Sequence, residues 1–243
     1  MRRFILLITL LLFLSTPSLA QVAESYTCTD CFVDSNDLNV QTLTLTTFTV
    51  DTGSNLCLIA ILHTRVVAGT VTANWDSAGT PQAMTEVGTG VAGTFAFVRV
   101  FQLANPAVGN LSMVFSWTGT GSVSTLGAVA FSGADCASAG NVVTATGSST
   151  TPSTGAVTST ATGATVGAET SAGNDITAET LTPVYRNNTQ SFQNAGVTYT
   201  LGNADNTHSW TIGSNTWGAI GFHIPAAAAA GGVGSLLMMG VGR

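Results

Sequence analysis

The sequence contains no lysine and few charged residues of any kind. Only 7% of its 243 residues are charged, with six arginines against twelve acidic residues and a formal net charge of -6. Proteins that neutralise phosphates need clustered positive charge, so this composition disfavours nucleic-acid binding and attraction to anionic membrane surfaces. Hydrophobic residues, by contrast, make up 45% of the chain. They suffice for a sizeable core and disfavour intrinsic disorder.

Residues 1–20 have the pattern of a secretory signal peptide. A basic start at Arg2 and Arg3 precedes an apolar run over 4–14, and Ser18 and Ala20 are small residues suited to a cleavage site. The apolar run is too short to span a bilayer. We therefore expect a secreted or otherwise extracytoplasmic mature chain that begins at residue 21 and has no membrane span. Loss of two arginines leaves four against twelve acidic residues, a charge of -8.

All four cysteines, Cys28, Cys31, Cys57 and Cys136, lie after the predicted cleavage point. An oxidising compartment lets disulfides form, and four cysteines allow three connectivities. We favour Cys28 with Cys31 and Cys57 with Cys136. The spacing of Cys28 and Cys31 also occurs in redox and zinc motifs, but no second such pair, nearby histidine or βαβ pattern accompanies it. A structural role is therefore favoured.

The chain beyond residue 40 predicts strands rather than helices, because no segment keeps apolar residues at helical spacing. We predict an all-β, antiparallel β-sandwich of the jelly-roll type over 40–225. An acidic, cysteine-containing segment (21–39) precedes it, and a low-complexity apolar tail (226–243) follows it as a flexible tail or, alternatively, as an anchor or assembly peptide. Residues 55–63 are apolar on both faces, as in a covered central strand. Residues 176–194 predict a long surface loop, where a binding surface is first sought.

The segment Asp51-Thr52-Gly53 resembles the active-site turn of the pepsin-type aspartic proteases. That chemistry needs two carboxylates that share a proton. The sequence has no second Asp-Thr-Gly or Asp-Ser-Gly, so the chemistry would require a homodimer with one Asp51 from each subunit. We favour a structural turn in which Asp51 bonds its own backbone and Gly53 has a positive φ. No catalytic site is therefore predicted.

Five ordered segments resemble a β-sandwich module that is common in secreted bacterial and phage-tail proteins. They are DTGSNLCLIAIL, VTANWDSAGTPQAMTEVG, FAFVRVFQLANPAVGNLSMVFSWTGTG, LGAVAFSGAD and THSWTIGSNTWGAIGFHI. The resemblance implies a jelly-roll, lectin-like sandwich. This chain departs from the module at Thr118, which replaces a serine, and at Cys57 and Cys136, which are additions. It also stands alone behind a signal peptide, whereas the module is usually an appendage of larger surface proteins.

Aromatic side chains are candidates for stacking against sugar rings in such a sandwich. The candidates are Trp75, Trp117, Trp210, Trp217, Tyr185 and Tyr199. For Trp117, Trp210 and Trp217 we favour core packing, because tryptophan brings a large apolar surface to a sandwich. Tyr185 is expected to be exposed and, with Arg186 and Asn187, to form a ligand-binding site.

The densest group of oxygen ligands is Asp30, Asp34, Asn36 and Asp37. Calcium takes six to eight oxygen ligands in proteins. The spacing differs from that of an EF-hand, so the alternatives are another kind of calcium loop or a solvated acidic loop. No other cofactor is predicted, because the three histidines lack the spacing of a zinc site.

Together these features predict a secreted, non-catalytic binding or adhesion module for a glycan or a cell-surface component. The alternative is a structural or assembly subunit of an extracellular or virion-associated structure, which would be oligomeric. A protease that acts through Asp51 is a distant third. An exposed aromatic cluster near Tyr185 would favour the first function. An apolar patch continuous with the tail would favour the second.

Overall fold

The structure is a computed structural model in which the described part of the chain folds into strands and connecting segments. It describes residues 21–66, 69–87, 91–92, 95–137, 140–190, 192–203 and 205–228. The paired strands are antiparallel, which confirms the predicted all-β, sandwich-compatible class. The jelly-roll topology stays a prediction. No helix of the described residues is long and apolar enough to cross a membrane. The predicted signal peptide and the tail beyond residue 228 lie outside the described residues.

The described residues contain 22 strands, several of them only two residues long. In chain order they are β1 (Ala23–Glu24), β2 (Tyr26–Cys28), β3 (Phe32–Ser35), β4 (Thr42–Leu45), β5 (Phe48–Val50), β6 (Cys57–Thr64), β7 (Val71–Trp75), β8 (Gln82–Ala83), β9 (Thr85–Glu86), β10 (Val91–Ala92), β11 (Phe97–Ala104), β12 (Gly109–Asn110), β13 (Met113–Trp117), β14 (Ser124–Ser132), β15 (Val142–Ser149), β16 (Ser153–Val157), β17 (Ala164–Ser171), β18 (Ala178–Glu179), β19 (Thr182–Asn187), β20 (Asn194–Leu201), β21 (Asn206–Thr211) and β22 (Asn215–Ile224).

The strands form four layers. The first inner sheet has the order β1-β14-β6-β11-β10, with β3 also on β14 and β9 also on β11. The first outer layer contains the sheets β4-β13-β7-β8 and β12-β5-β2. The second inner sheet is β15-β22-β17-β20-β19, and the second outer layer is β16-β21-β18. We call the first two layers the N-terminal sandwich and the other two the C-terminal sandwich.

The two sandwiches repeat one strand order. The N-terminal sandwich places β3-β14-β6-β11 beneath β4-β13-β7, and the C-terminal sandwich places β15-β22-β17-β20 beneath β16-β21-β18. Strands β3, β4, β6, β7, β11, β13 and β14 therefore correspond, in that order along the chain, to β15, β16, β17, β18, β20, β21 and β22. The described residues from 21 to 225 thus form two packed sandwiches. The segment 21–39 belongs to the first of them, because it contributes β1 and β3 to the first inner sheet and β2 to the first outer layer.

Strand β6 is buried along its whole length, as predicted for 55–63. Leu58 and Leu62 point into the core of the N-terminal sandwich, where Phe115 and Trp75 also lie. The alternate side chains, such as Ile59, enter a second core between the two inner sheets. A strand apolar on both faces is required here because both of its faces are covered.

The interior of the C-terminal sandwich is thinner and more polar. Its apolar cluster consists of Ile176, Trp210, Ile212, Trp217 and Ala219. The outer layer also approaches the second inner sheet closely at Gly167, where a Cβ atom would lie 2.3 Å from Cγ of His208. His208 is fully buried.

Both favoured disulfides are confirmed. Cys28 is bonded to Cys31, with Cα atoms 5.3 Å apart, and Cys57 is bonded to Cys136, with Cα atoms 5.2 Å apart. The second bond joins the start of β6 to the segment that follows β14. Two disulfides fit an oxidising compartment.

Candidate functional site

The Asp51 turn makes local contacts that differ from those predicted for it. The Thr27 hydroxyl donates to the Asp51 carboxylate at 3.2 and 3.3 Å, so this carboxylate bonds a neighbouring strand rather than its own backbone. The positive φ belongs to Asn55 (51°), and the prediction of a positive φ at Gly53 is wrong. Gly53 is required for space, because a Cβ atom there would lie 3.0 Å from Cδ2 of Leu56.

The predicted exposure of Tyr185 is also wrong. Tyr185 is 6% exposed and its hydroxyl lies 2.9 Å from Nε2 of His63, between the inner sheets. Asn187 is fully buried and donates to the Thr125 hydroxyl at 2.8 Å. Burial also lowers the pKa of His63 to about 3. Tyr185 and Asn187 therefore anchor one sandwich to the other.

Tyr185 and Asn187 are buried because residues 176–194 contain β18 and β19 rather than one long loop. Strand β19 pairs with β20, with a register shift between Pro183 and Tyr185. This places alternate side chains against the first inner sheet and leaves Arg186 outside, where it forms an ion pair with Glu179. Ligand binding by Tyr185, Arg186 and Asn187 stays a prediction that this arrangement does not support.

The predicted calcium ligands point to different partners. Asp34 accepts hydrogen bonds from Nδ2 of Asn187 at 3.1 Å and from the Thr189 hydroxyl at 2.6 Å. Asp37 accepts one from the Asn39 amide at 2.8 Å. The other two predicted ligands, Asp30 and Asn36, are exposed. Within the part of the chain that the structure describes, no group of three or more His, Cys, Asp or Glu side chains is placed to hold a metal ion. The calcium site stays a prediction.

The candidate aromatic residues are buried, so they offer no face to a ligand. Trp117, Trp210 and Trp217 are at most 7% exposed, which confirms their predicted core role. Trp75 and Tyr199 are buried as well. The aromatic rings that do reach the surface are therefore different ones.

Two phenylalanines and an arginine form the most distinctive surface feature among the described residues. Phe95 is 50% exposed and Phe192 is 49% exposed. The guanidinium carbon of Arg65 lies 5.6 Å from the ring centre of Phe95 and 4.7 Å from that of Phe192. Both distances lie within the range of cation–π attraction. We call these three residues the Phe95–Arg65–Phe192 cluster.

Hydrogen bonds to Ser122 and Val123 hold the backbone of Arg65, which directly follows β6. Its amide donates to the Val123 carbonyl at 3.1 Å and to the Ser122 hydroxyl at 2.8 Å, and the Val66 amide reaches the same hydroxyl at 3.2 Å. Phe95 comes two residues before β11, which pairs with β6 so that Phe97 lies opposite Thr64. Sheet pairing therefore brings Arg65 and Phe95 to the same edge.

Two buried glutamines hold the segment that carries Phe192. Gln190 donates from Nε2 to the Ser124 carbonyl at 2.8 Å, and Gln193 donates from Nε2 to the Thr170 hydroxyl at 2.9 Å. These two hydrogen bonds lie on either side of Phe192. They hold its neighbours against the sheets, and the ring of Phe192 lies at the surface. Phe192 also belongs to 176–194, the segment in which the sequence indicated a binding surface.

The cation in the cluster is not neutralised by a side-chain carboxylate. Arg99 and Arg186 are ion-paired with Glu86 and Glu179. All twelve acidic residues of the sequence lie in the described part of the chain, and none of them forms an ion pair with Arg65. A guanidinium presents five donors in a planar fork that matches carboxylates. The cluster therefore combines apolar ring faces with an available cationic donor.

A cleft lies at the opposite end of β6. It has a volume of about 280 Å³, and its lining includes Asn55, Asn105, Asp135 and Cys136. Its lining residues include no aromatic ring and no cation. Its lining combines hydrogen-bonding groups with aliphatic side chains such as Leu56 and Ala134.

Sequence reasoning missed the cluster because its residues come from three distant segments. The available signal was the strand pairing of β6 with β11, which places Arg65 beside Phe95 but cannot be read without the sheet order. Comparisons of the chain with known protein families and with curated proteins find no match.

Proposed function

We propose that the protein is a secreted, non-catalytic binding or adhesion module that recognises a glycan or another cell-surface component. The observation that carries this proposal is the Phe95–Arg65–Phe192 cluster, with its two half-exposed rings around a cation that has no carboxylate partner. The signal-peptide pattern of residues 1–20 and the two disulfides support secretion.

Single apolar side chains on a protein surface need no special explanation. This cluster differs because three separate segments converge on it, and hydrogen bonds from buried glutamines hold one of them in place. A sugar ring has apolar C–H faces and polar hydroxyls at its rim. Phenylalanine rings and a guanidinium supply complementary groups. The resemblance to a lectin-like module supports the same ligand class, and the repeated strand order supports the jelly-roll topology that the resemblance implies.

The alternative is an assembly subunit of an extracellular or virion-associated structure, and one observation favours it. Strand β15 (Val142–Ser149) lies at the edge of the second inner sheet and pairs only with β22 among the described strands. It has no charged residue and no proline, and Thr144, Thr146 and Ser148 are exposed. An edge strand without such protection is a template for pairing with another chain.

The test uses the full mature chain with its disulfides intact on a broad panel of glycans and cell-surface polysaccharides. The variant removes both rings, Phe95→Ala with Phe192→Ala. The matched control is Leu38→Ala with Val108→Ala, which removes apolar side chains that are similarly exposed, at 49% and 46%. We expect saturable binding that weakens by about tenfold or more in the ring variant and is unchanged in the control.

Equal binding by the two variants would contradict the assignment of the site. An absence of saturable glycan binding, together with concentration-dependent oligomers of the mature chain, would move the conclusion to the assembly subunit.

A further inference from the structure

We infer that the ligand of the Phe95–Arg65–Phe192 cluster is a carboxylated saccharide, that is, a glycan containing uronic acid or a similar acidic sugar. This inference rests on the proposed function and deepens it, because it names the charged group that the cluster would recognise. Arg65 would pair with the carboxylate, and the rings of Phe95 and Phe192 would contact the sugar.

The positive charge of Arg65 is not compensated by an ion pair with any described acidic side chain. The other arginines of the described residues are ion-paired within the fold, whereas the side chain of Arg65 contacts two aromatic rings and forms no ion pair with any described acidic residue. Contact with a ring face attracts a cation but supplies no hydrogen-bond acceptor of carboxylate strength. The guanidinium therefore keeps its capacity for a bidentate pair with a carboxylate of a ligand.

The two phenylalanine rings favour a pair between the Arg65 guanidinium and a ligand carboxylate. They lie against Arg65 at 4.7 and 5.6 Å and restrict the guanidinium before a ligand arrives. A donor that is already oriented loses less side-chain entropy on binding. Apolar neighbours also exclude water, and a charge pair is stronger where the local dielectric constant is lower.

The charge of the protein favours a carboxylated saccharide over a phosphate polymer as the ligand. The chain has a formal net charge of -6, and it has no lysine to accompany Arg65. A nucleic acid or another dense polyanion needs several cations in a row and would be repelled by the acidic remainder of the surface. One cation between two apolar rings is instead suited to one carboxylate on a largely uncharged ring.

The test compares acidic oligosaccharides with their methyl-esterified forms. The probes are oligosaccharides that carry a single galacturonic, glucuronic or sialic acid residue among neutral sugars, each paired with its methyl ester, which keeps the sugar and removes the charge. Binding to the full mature chain is measured by isothermal titration calorimetry. We expect at least one acid to bind and its ester to bind about tenfold or more weakly.

Arg65→Gln should abolish this preference for the acid, and Arg65→Lys should retain part of it, because lysine keeps the charge but loses the planar fork. The matched control is Arg186→Gln, which removes an arginine already paired with Glu179 and should leave binding unchanged. Thermal unfolding of each variant shows that the fold is retained.

Equal affinity for acid and ester, or an acid preference that survives Arg65→Gln, would overturn the inference. If neutral glycans still bound and lost affinity in the ring variant, the proposed function would stand without it. Binding of none of the acids or neutral glycans would overturn both.

Discussion

The two sandwiches share a strand order but fill it with different side chains. Strands β6 and β17 correspond, and the second, fourth and sixth residues of each strand face the outer layer. In the N-terminal sandwich these residues are Leu58, Ala60 and Leu62. In the C-terminal sandwich they are Thr165, Gly167 and Glu169. All six residues are described in the structure, and the five with side chains are almost completely buried. The same topology therefore accepts an apolar core or a thin, polar one.

The two interiors are stabilised by different interactions. Large side chains such as Trp75 and Phe115 fill the N-terminal sandwich, and full burial of such a side chain contributes about 1.5–3 kcal/mol. In the C-terminal sandwich, His208 is within hydrogen-bond distance of the Thr198 hydroxyl (Nδ1, 2.7 Å) and of the Thr165 hydroxyl (Nε2, 3.0 Å). Such bonds contribute about 1 kcal/mol each. The second arrangement should therefore respond to pH, and the first should not.

At pH 7 the largest effect is expected from Trp75→Ala in the apolar interior. Trp75 is fully buried, and its Nε1 donates to the Ala107 carbonyl at 2.8 Å. The cavity and the lost hydrogen bond should lower the free energy of unfolding by about 3–5 kcal/mol, measured by chemical denaturation. The exposed Phe192→Ala serves as the control, with a change below about 0.5 kcal/mol. A loss below about 1 kcal/mol for Trp75→Ala would show that this core is not the main source of stability.

The next effect is a loss of stability in acid that depends on buried histidines. Burial lowers the pKa of His208 and of His63 to about 3, from an ordinary value of 6.5. Because the unfolded chain takes up protons first, this contribution to stability is complete above pH 6.5 and falls as the pH drops towards 3. The expected slope is about 1.4 kcal/mol per pH unit for each histidine.

Free energies of unfolding measured from pH 7 to pH 4 test this slope. His208→Gln should reduce the slope by about the contribution of one histidine. An unchanged slope would mean that His208 is accessible to protons in the folded protein.

Glycine at position 167 should be required by the thin C-terminal interior. In Gly167→Ala the new Cβ would lie 2.3 Å from Cγ of His208, and we expect a loss of about 1–3 kcal/mol. The corresponding position in the apolar sandwich, Ala60, already carries a methyl group. If Gly167→Ala unfolded at the same denaturant concentration as the wild type, the outer layer would not be held as closely as the structure shows.

The smallest effect is a stabilisation by Glu169→Leu, which makes the polar interior resemble the apolar one. Glu169 is fully buried, and neither carboxylate oxygen has a hydrogen bond of good geometry among the described residues. Burial raises its pKa well above 4.5, and the Ser171 side chain opposes only part of that rise. The neutral form is therefore favoured in the fold. The stability linked to it is complete below pH 4.5 and is lost as the pH rises.

Glu169→Leu should accordingly gain about 1–2 kcal/mol at pH 8 and less at pH 4. Thermal unfolding at both pH values provides the measurement. A variant that is less stable than the wild type at pH 8 would indicate that the carboxylate has a favourable partner.

Much of the secondary structure could be predicted from local patterns, but the arrangement of the sheets could not. The apolar run at 55–63, the three core tryptophans and the disulfide pairing are local or chemical signals, and the structure confirms them. The repeated strand order is not visible as a sequence repeat, because corresponding residues differ in chemistry. Leu58 corresponds to Thr165, and Leu62 corresponds to Glu169. What the two sandwiches share is backbone pairing, which leaves little trace in residue types.

The site was harder to predict for a related reason. Tyr185 lies two residues after Pro183 and precedes arginine and two asparagines, a composition typical of a loop, yet the alternation within β19 buries it. Phe192 lies in the segment where a binding surface was expected. Its partners Arg65 and Phe95 are brought to it by the packing of the two sandwiches, which no local pattern encodes.

Hydrogen–deuterium exchange of the mature protein, with and without a bound acidic oligosaccharide, would show which surface of the protein binds the ligand. We predict that the ligand slows exchange in the peptides around Arg65, Phe95 and Phe192, and that peptides of the cleft around Asn105 and Asp135 exchange as before. Protection confined to the cleft would contradict the assignment of the binding site to the Phe95–Arg65–Phe192 cluster.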